Sequence, residues 1–277
     1  MSTSLRVFSD YKKGGAPRGD ESRGGEPLAM VSLYDAPSAA ICCDQGVDAL
    51  LVGDSMGNVV LGFDNTVPVT IDAMIHHTGA VLRGVRSSSR PQVPVVADMP
   101  LGGGLHPDSF NWALRLMQTG AAAIKIEGAS DRLLDNIRTF SDAGIPIMGH
   151  LGYTPQSALR FKSVVQGRTQ EDADRLLAQS LALQEAGCFA IVLETVVMEV
   201  AAQITDQLEI LTIGIGSGAA CSGQVLVWND LIGLSDVSLR MVKEFGNSRE
   251  VLQSAAARFV GEVHKRTFPT EEHGWKK

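Results

Sequence analysis

Four acidic side chains close four short apolar runs. Residues 50–53 lead into Asp54, 93–97 into Asp98, 121–126 into Glu127 and 189–193 into Glu194. Lys125 stands two residues before Glu127, so on an extended strand both share one face, with Ile124 and Ile126 on the other. A charge turned toward the inside of a fold is costly unless it is partnered. His150 ends a fifth run, in Met148-Gly149-His150. Gathered carboxylates repel, and a cation relieves the repulsion. Oxygen donors without cysteine favour Mg²⁺ or a similar hard divalent ion, which takes one or two carboxylates and keeps several waters. A lone acid after a strand more often caps a helix or pairs with a cation. Four acids from separate strands, beside an inward lysine, point instead to one shared acidic site.

Such convergence needs an architecture that collects strand ends. A helix-like stretch closing on glycine precedes an apolar run at Gly46, Gly120, Gly144 and Gly187. Glycine suits the left-handed residue after a helix. The runs at 49–52, 121–126, 145–148 and 189–193 lack alternation, as strands covered on both faces do. Further strands are predicted at 28–33, 93–97 and 211–213, while 225–228 reads equally as an eighth strand or as helix. Thr70 caps a helix over 71–85, Pro107 opens one running through Met117, Ser130 or Asp131 opens the next, and Thr169 opens one through Glu185. Strands alternating with helices give a parallel sheet. Seven or eight such units, without a GxGxxG or Walker A pattern, favour closure over an open doubly wound sheet. The expected fold is therefore α/β: a single-domain (β/α)8 TIM barrel over 27–277, with a flexible N-terminal arm over 1–26. A C-terminal helix over 249–265 places Val251, Ala255, Phe259 and Val263 on one face, to pack on the barrel or on another subunit. In this fold the C-terminal strand ends face the active site.

The 277 residues suit a barrel of about 250. With 44% hydrophobic and 20% charged residues the chain can bury a large core. Lys plus Arg is 24 against 31 Asp plus Glu, a net charge of −7, which argues against nucleic-acid or anionic-membrane partners. No apolar run approaches the roughly 20 residues of a membrane span. The polar N-terminus lacks a signal-peptide core, and Asp10, Asp20, Glu21 and Glu26 argue against a transit peptide, so a cytoplasmic protein is expected. Cys42, Cys43, Cys188 and Cys221 form no Cys-x-x-Cys pair and read as reduced, small apolar residues. His76 and His77 read as packing or surface residues, and His264 and His273 as surface residues. Gly102-Gly103-Gly104 reads as a rim loop. Gly214, Gly216 and Gly218 fit a phosphate site and close backbone packing equally well.

Read in order, several segments resemble the ketopantoate hydroxymethyltransferase family from about Leu28 to the end. They are Leu51-Val52-Gly53-Asp54-Ser55-Met56-Gly57, Val67-Pro68-Val69-Thr70, Ala97-Asp98-Met99-Pro100 and Lys125-Ile126-Glu127-Gly128. Gly149-His150-Leu151-Gly152, Thr154-Pro155-Gln156-Ser157, Val165-Gln166-Gly167-Arg168, Leu193-Glu194 and Ile213-Gly214-Ile215-Gly216-Ser217-Gly218 follow. The resemblance implies a barrel akin to phosphoenolpyruvate mutase and isocitrate lyase. It implies transfer of a hydroxymethyl group from 5,10-methylenetetrahydrofolate to the 2-oxo acid 3-methyl-2-oxobutanoate, toward pantothenate. Asp54 and Asp98 would bind Mg²⁺, with Glu127 near or on the metal. Ser55 and Lys125 would hold the oxo acid, His150 would stand at the same rim, and Glu194 would be the general acid/base. Members of the family are commonly decamers, so a homo-oligomer is expected.

The chain departs from the family at rim positions. Residues 159–164 replace a usual Gly-Gly pair, Ser222 stands for an acid, Asn229 for a histidine, and 101–104 for a segment with Phe and Ser-Tyr. The metal and base positions match. Two other readings remain: a related barrel lyase or aldolase acting on another 2-oxo acid, and a non-catalytic paralogue. The isocitrate-lyase branch carries a Lys-Lys-Cys-Gly-His-like loop that this chain lacks.

Overall fold

A computed structural model describes residue 8 and residues 26–160, 163–236 and 239–276. Eight strands run in parallel: β1 Leu28–Ser32, β2 Ala49–Val52, β3 Val95–Asp98, β4 Ala123–Glu127, β5 Ile147–Gly152, β6 Ala190–Glu194, β7 Leu211–Ile215 and β8 Gly223–Val227. Each pairs with its successor and β8 pairs with β1, closing the barrel. The ambiguous eighth segment is thus a strand that starts two residues earlier than expected, and Trp228 opens a short helix.

Several strands also begin two residues later than the apolar runs and reach further into polar sequence. Val93, Ala121 and Ile145 are buried but precede the ladder. Asp98, Glu127, His150 and Glu194 lie within the ladders, so hydrophobicity stops short of the true strand ends.

The missing alternation has the expected cause. Leu50, Val52, Ile124, Ile147, Ile191 and Leu193 are fully buried on the outer strand face under the helices. Each such side chain contributes roughly 1.5–3 kcal/mol by leaving water. The inner face is filled toward its N-terminal end by Leu28, Met30, Leu51, Val96, Met148 and Val192. Phe8 joins this cluster, its ring edge-to-face with Phe189 at 5.1 Å. The rest of the arm expected before Glu26 lies outside the described residues.

Thr70 caps the Ile71–Ser87 helix by accepting from the Ala73 amide, and Thr169 caps the Gln170–Glu185 helix by accepting from the Asp172 amide. Pro107 does not open its helix. The Ser109–Thr119 helix starts two residues later, because Asp108 N turns to donate to His106 Nδ1 at 3.0 Å. Ser130 precedes the Asp131–Asp142 helix as expected, without a side-chain cap bond. All four cysteines are free and buried, and burial pushes Cys42 up to about 12, leaving an inert thiol.

The chain divides into two compact units, Met1–Val227 and Trp228–Lys277. The second holds the Ser248–His264 helix, whose Phe259 packs edge-on against Phe268. On its apolar face Val251, Phe259 and Val263 are exposed. Among the described residues no helix is long and apolar enough to cross a membrane.

Candidate active site

The inner face of each strand changes character along its length. Asp98 comes two residues after Val96, Lys125 after Ala123, His150 after Met148 and Glu194 after Val192. Side chains two apart share a face, so the strands that bury the apolar core also turn these groups inward at their C-terminal ends. Lys125 Nζ lies 2.8 Å from Asp98 Oδ1 and 3.0 Å from His150 Nδ1. His150 Nδ1 is 3.3 Å from Glu127 Oε1, and its Nε2 is 3.3 Å from Glu194 Oε2. Asp54 N donates to Asp98 Oδ2 at 3.1 Å. Six of the seven residues expected in the site thus form one connected group. Ser55 stands beside it, its hydroxyl 2.8 Å from Tyr34 OH.

Burial opposes every charge in this group, and the neighbours decide the outcome. Burial first, then the charges of Asp98 and Glu127, pushes Asp54 up to about 7. Burial also raises Asp98, against the nearby Lys125 ammonium. Burial works against the Lys125 ammonium too, but Asp98, Glu127 and Asp54 outweigh it and hold its pKa above the ordinary value. His150 is pulled down by burial and by Lys125, yet its bonds to Glu127 and Glu194 win and raise it to about 9. Glu127 in turn stays below its ordinary value because His150 and Lys125 overcome its burial. The His150 ring therefore bridges two carboxylates, and the lysine serves the acids on the other side.

Gln156, to which the sequence assigns no role, ties the acids together. Its Nε2 donates to Asp54 Oδ2 at 2.9 Å and to Met99 O at 2.8 Å, while its amide donates to Glu127 Oε2 at 3.1 Å. His77, read as a packing or surface residue, contacts the Tyr34 carbonyl at 2.8 Å through Nδ1. Glu194 is fixed from behind. Gly152 has φ +94°, and a Cβ there would lie 2.2 Å from Glu194 O. Thr195 takes φ +52°, a strained value for a non-glycine residue. Beyond it Ser217 Oγ donates to Leu193 O at 2.7 Å and accepts from Val196 N at 3.0 Å.

Gly214 within β7 and Gly218 after it serve close packing. A Cβ at Gly218 would meet Met198 Cγ at 2.8 Å, and one at Gly214 the Gln224 side chain at 3.0 Å. Of the rim glycines, Gly104 is equally tight, since a Cβ there would strike Leu133 at 2.6 Å and Ile126 at 2.8 Å, whereas Gly102 has open space around it and takes φ +69°. A cavity of ≈ 500 Å³ opens beside the acids, lined by Met99, Gly104, Leu105, Glu127, Gln156 and Arg175 among others.

The donors suit a hard cation held partly by other oxygens. Among the described residues, no group of three or more His, Cys, Asp or Glu side chains is arranged to hold a metal by itself. Asp54 and Asp98 offer two adjoining carboxylates. Asp98 Oδ1 and Glu127 Oε1 are buried without a well-formed hydrogen bond. Two carboxylates with room for water or ligand oxygens match Mg²⁺-type coordination.

The family model described as Ketopantoate hydroxymethyltransferase matches residues 19–271. The 3-methyl-2-oxobutanoate hydroxymethyltransferase of Thermotoga maritima is 46% identical over 259 residues, covering 91% of this chain and 93% of that protein. The protein of the same name from Chloroflexus aurantiacus is 46% identical over 252 residues, covering 90% and 88%. Among solved structures, phosphonopyruvate hydrolase in complex with oxalate and Mg²⁺ superposes with a TM-score of 0.61 at 10% identity, covering 98% of this chain and 92% of that one. That likeness shows a shared fold.

Proposed function

The chain belongs to the ketopantoate hydroxymethyltransferase family, and on that footing we propose that it transfers a hydroxymethyl group from 5,10-methylenetetrahydrofolate to 3-methyl-2-oxobutanoate, giving 2-dehydropantoate. Asp54 and Asp98, with Glu127 beside them, would hold a divalent cation. When bound, that cation supplies Lewis acidity to the 2-oxo and carboxylate oxygens and so acidifies the neighbouring C3–H. Glu194 takes the C3 proton. His150 keeps the Glu194 carboxylate oriented and receives part of its charge, from 3.3 Å away. The Lys125 ammonium stabilises the enolate oxygen, and Ser55 holds the substrate carboxylate. Water releases the folate-borne methylene as formaldehyde, with tetrahydrofolate leaving; C3 then bonds to the formaldehyde carbon, whose oxygen takes a proton to become the hydroxymethyl group.

The observation that supports this most is the buried Lys125–Asp98 pair at 2.8 Å with Asp54 and Glu127 around it. One ammonium among three carboxylates is the charge pattern of a site awaiting a divalent cation and an anionic substrate. Phosphonopyruvate hydrolase shares the fold and was solved with oxalate and Mg²⁺. Oxalate carries two adjacent oxygens, as the enolate of a 2-oxo acid does. The same reading includes a cytoplasmic homo-oligomer, with the exposed Val251–Phe259 face of the C-terminal helix covered by a second copy.

Deuterium exchange at C3 of 3-methyl-2-oxobutanoate, followed by NMR with and without Mg²⁺ and folate, tests the chemistry. A coupled assay for 2-dehydropantoate tests the transfer. Exchange and product are both expected. Exchange without product leaves an enolising barrel acting on another acceptor or donor, and neither result leaves the non-catalytic paralogue.

A further inference from the structure

Ser32 ends β1 on the inner face, two residues after Met30. It is 3% exposed, and its Oγ has no hydrogen-bond partner among the described residues. Its backbone is already served by the ladders to β2 and β8, where it lies opposite Leu51 and Val227. The fold therefore has no use for a hydroxyl here, and burying one unpaired carries a desolvation penalty. A ligand can provide the missing acceptor.

The place the hydroxyl faces is defined by Gly53. A Cβ on that residue would lie 2.7 Å from Ser32 Oγ, 2.8 Å from Ser55 Oγ and 3.5 Å from Asp98 Oδ2. With no side chain of its own, Gly53 lets the two hydroxyls close in on one spot beside Asp98. Ser55 Oγ pairs with Tyr34 OH. With the phenol donating, Ser55 directs its own proton elsewhere. Two hydroxyl donors set this close together match the two oxygens of a carboxylate, and Asp98 places them next to the proposed cation site.

We propose that Ser32 is a further substrate-anchoring residue, donating to one carboxylate oxygen of the 2-oxo acid while Ser55 serves the other. This rests on the function proposed above. The test uses the full chain with saturating Mg²⁺, as Ser32→Ala and Ser32→Thr. It reads KM and kcat for 3-methyl-2-oxobutanoate, the Kd of the oxo acid without folate by NMR titration, and the thermal midpoint without ligands. Ser32→Ala is expected to raise KM and Kd by about tenfold or more, the scale of a hydrogen bond to a charged acceptor. Its kcat should change much less, since a contact made equally in ground and transition states acts on KM. Its ligand-free midpoint should equal or exceed the parent's, because an unpaired buried group has gone. Ser32→Thr, which keeps the hydroxyl, should restore affinity. Parental KM and Kd in Ser32→Ala overturn the assignment. So does a lowered midpoint with no rescue by Thr, which marks a structural residue. A parent protein that neither binds nor turns over the oxo acid overturns the functional reading, and the assignment falls with it.

Discussion

Replacing Lys125 by Met keeps the aliphatic stem and deletes the ammonium. That ammonium is 2.8 Å from Asp98 and 4% exposed. At an effective dielectric of about 20, a pair this close attracts by ~6 kcal/mol before desolvation is subtracted. Breaking a buried pair by removing one partner costs about 3–5 kcal/mol net. Asp98 can soften the loss by taking up a proton, since burial already raises its pKa and Lys125 is the strongest influence holding it down. Without the lysine, the folded-state pKa of Asp98 moves further above its unfolded value. The folded variant then keeps a proton that the unfolded chain releases, so its stability falls as pH rises through that folded pKa. The deficit against the parent should be largest near about pH 8 and should shrink toward about pH 5. Urea denaturation at both ends of that range, without divalent ions, reads the stability. Turnover of 3-methyl-2-oxobutanoate with Mg²⁺ should fall on the order of 10²–10³-fold, the effect of losing one oriented donor at a developing oxyanion. An equal deficit at both pH values refutes the coupling of Lys125 to Asp98. Parental KM and turnover reduce Lys125 to a structural partner.

Asp54→Asn and Asp98→Asn should each weaken Mg²⁺ binding by more than the roughly 10–100-fold that loss of a supporting residue costs; unchanged calorimetric titrations in both would sink the ligand assignment. Because Asp54 sits at about 7 without a cation, metal affinity should climb by up to about tenfold per pH unit below that value and level off above it, with protons released on binding. Flat affinity across neutral pH, in buffers of differing ionisation heat, speaks against it. Gly152→Ala forces a Cβ to 2.2 Å from Glu194 O at φ +94°, so thermal stability should drop by about 2 kcal/mol or more and C3 exchange should slow more than oxo-acid binding weakens. A folded variant exchanging at the parental rate would show that Glu194 does not depend on that turn.

The acids could be read in the sequence because a strand reports its own facing. Val96 and Asp98, or Ala123, Lys125 and Glu127, alternate with buried outer residues, and a two-residue period needs no knowledge of the partners. The closing strand was ambiguous for a local reason. Residues 225–228 read equally as strand or helix because the run joins the end of β8, Gly223–Val227, to Trp228, which opens a helix. Gln156 was illegible because its contact with Asp54 spans 102 positions and it sits in a 3-10 turn with no period of its own. Ser32 was illegible for the opposite reason: its strand was predicted, but a serine two after Met30 looks like any small inward residue. The altered rim at 159–164 falls partly outside the described residues, whereas the one at 101–104 is exposed at Leu101 and packed against Leu133 and Ile126 only at Gly104.

Closure joins the first strand to the last: Leu28–Ser32 lies against Gly223–Val227. On the order of 200 residues must be synthesised before these partners can meet, so the contact carries a large loop-closure cost and arrives late. Until then β1 and β7 each present a bare edge of backbone donors and acceptors, and such edges recruit strands from other chains. A chain cut short within β8 would not be a slightly smaller enzyme. It would be a sheet with two open margins, prone to aggregate with its own kind, and the five residues of β8 are what keep newly made copies from joining edge to edge.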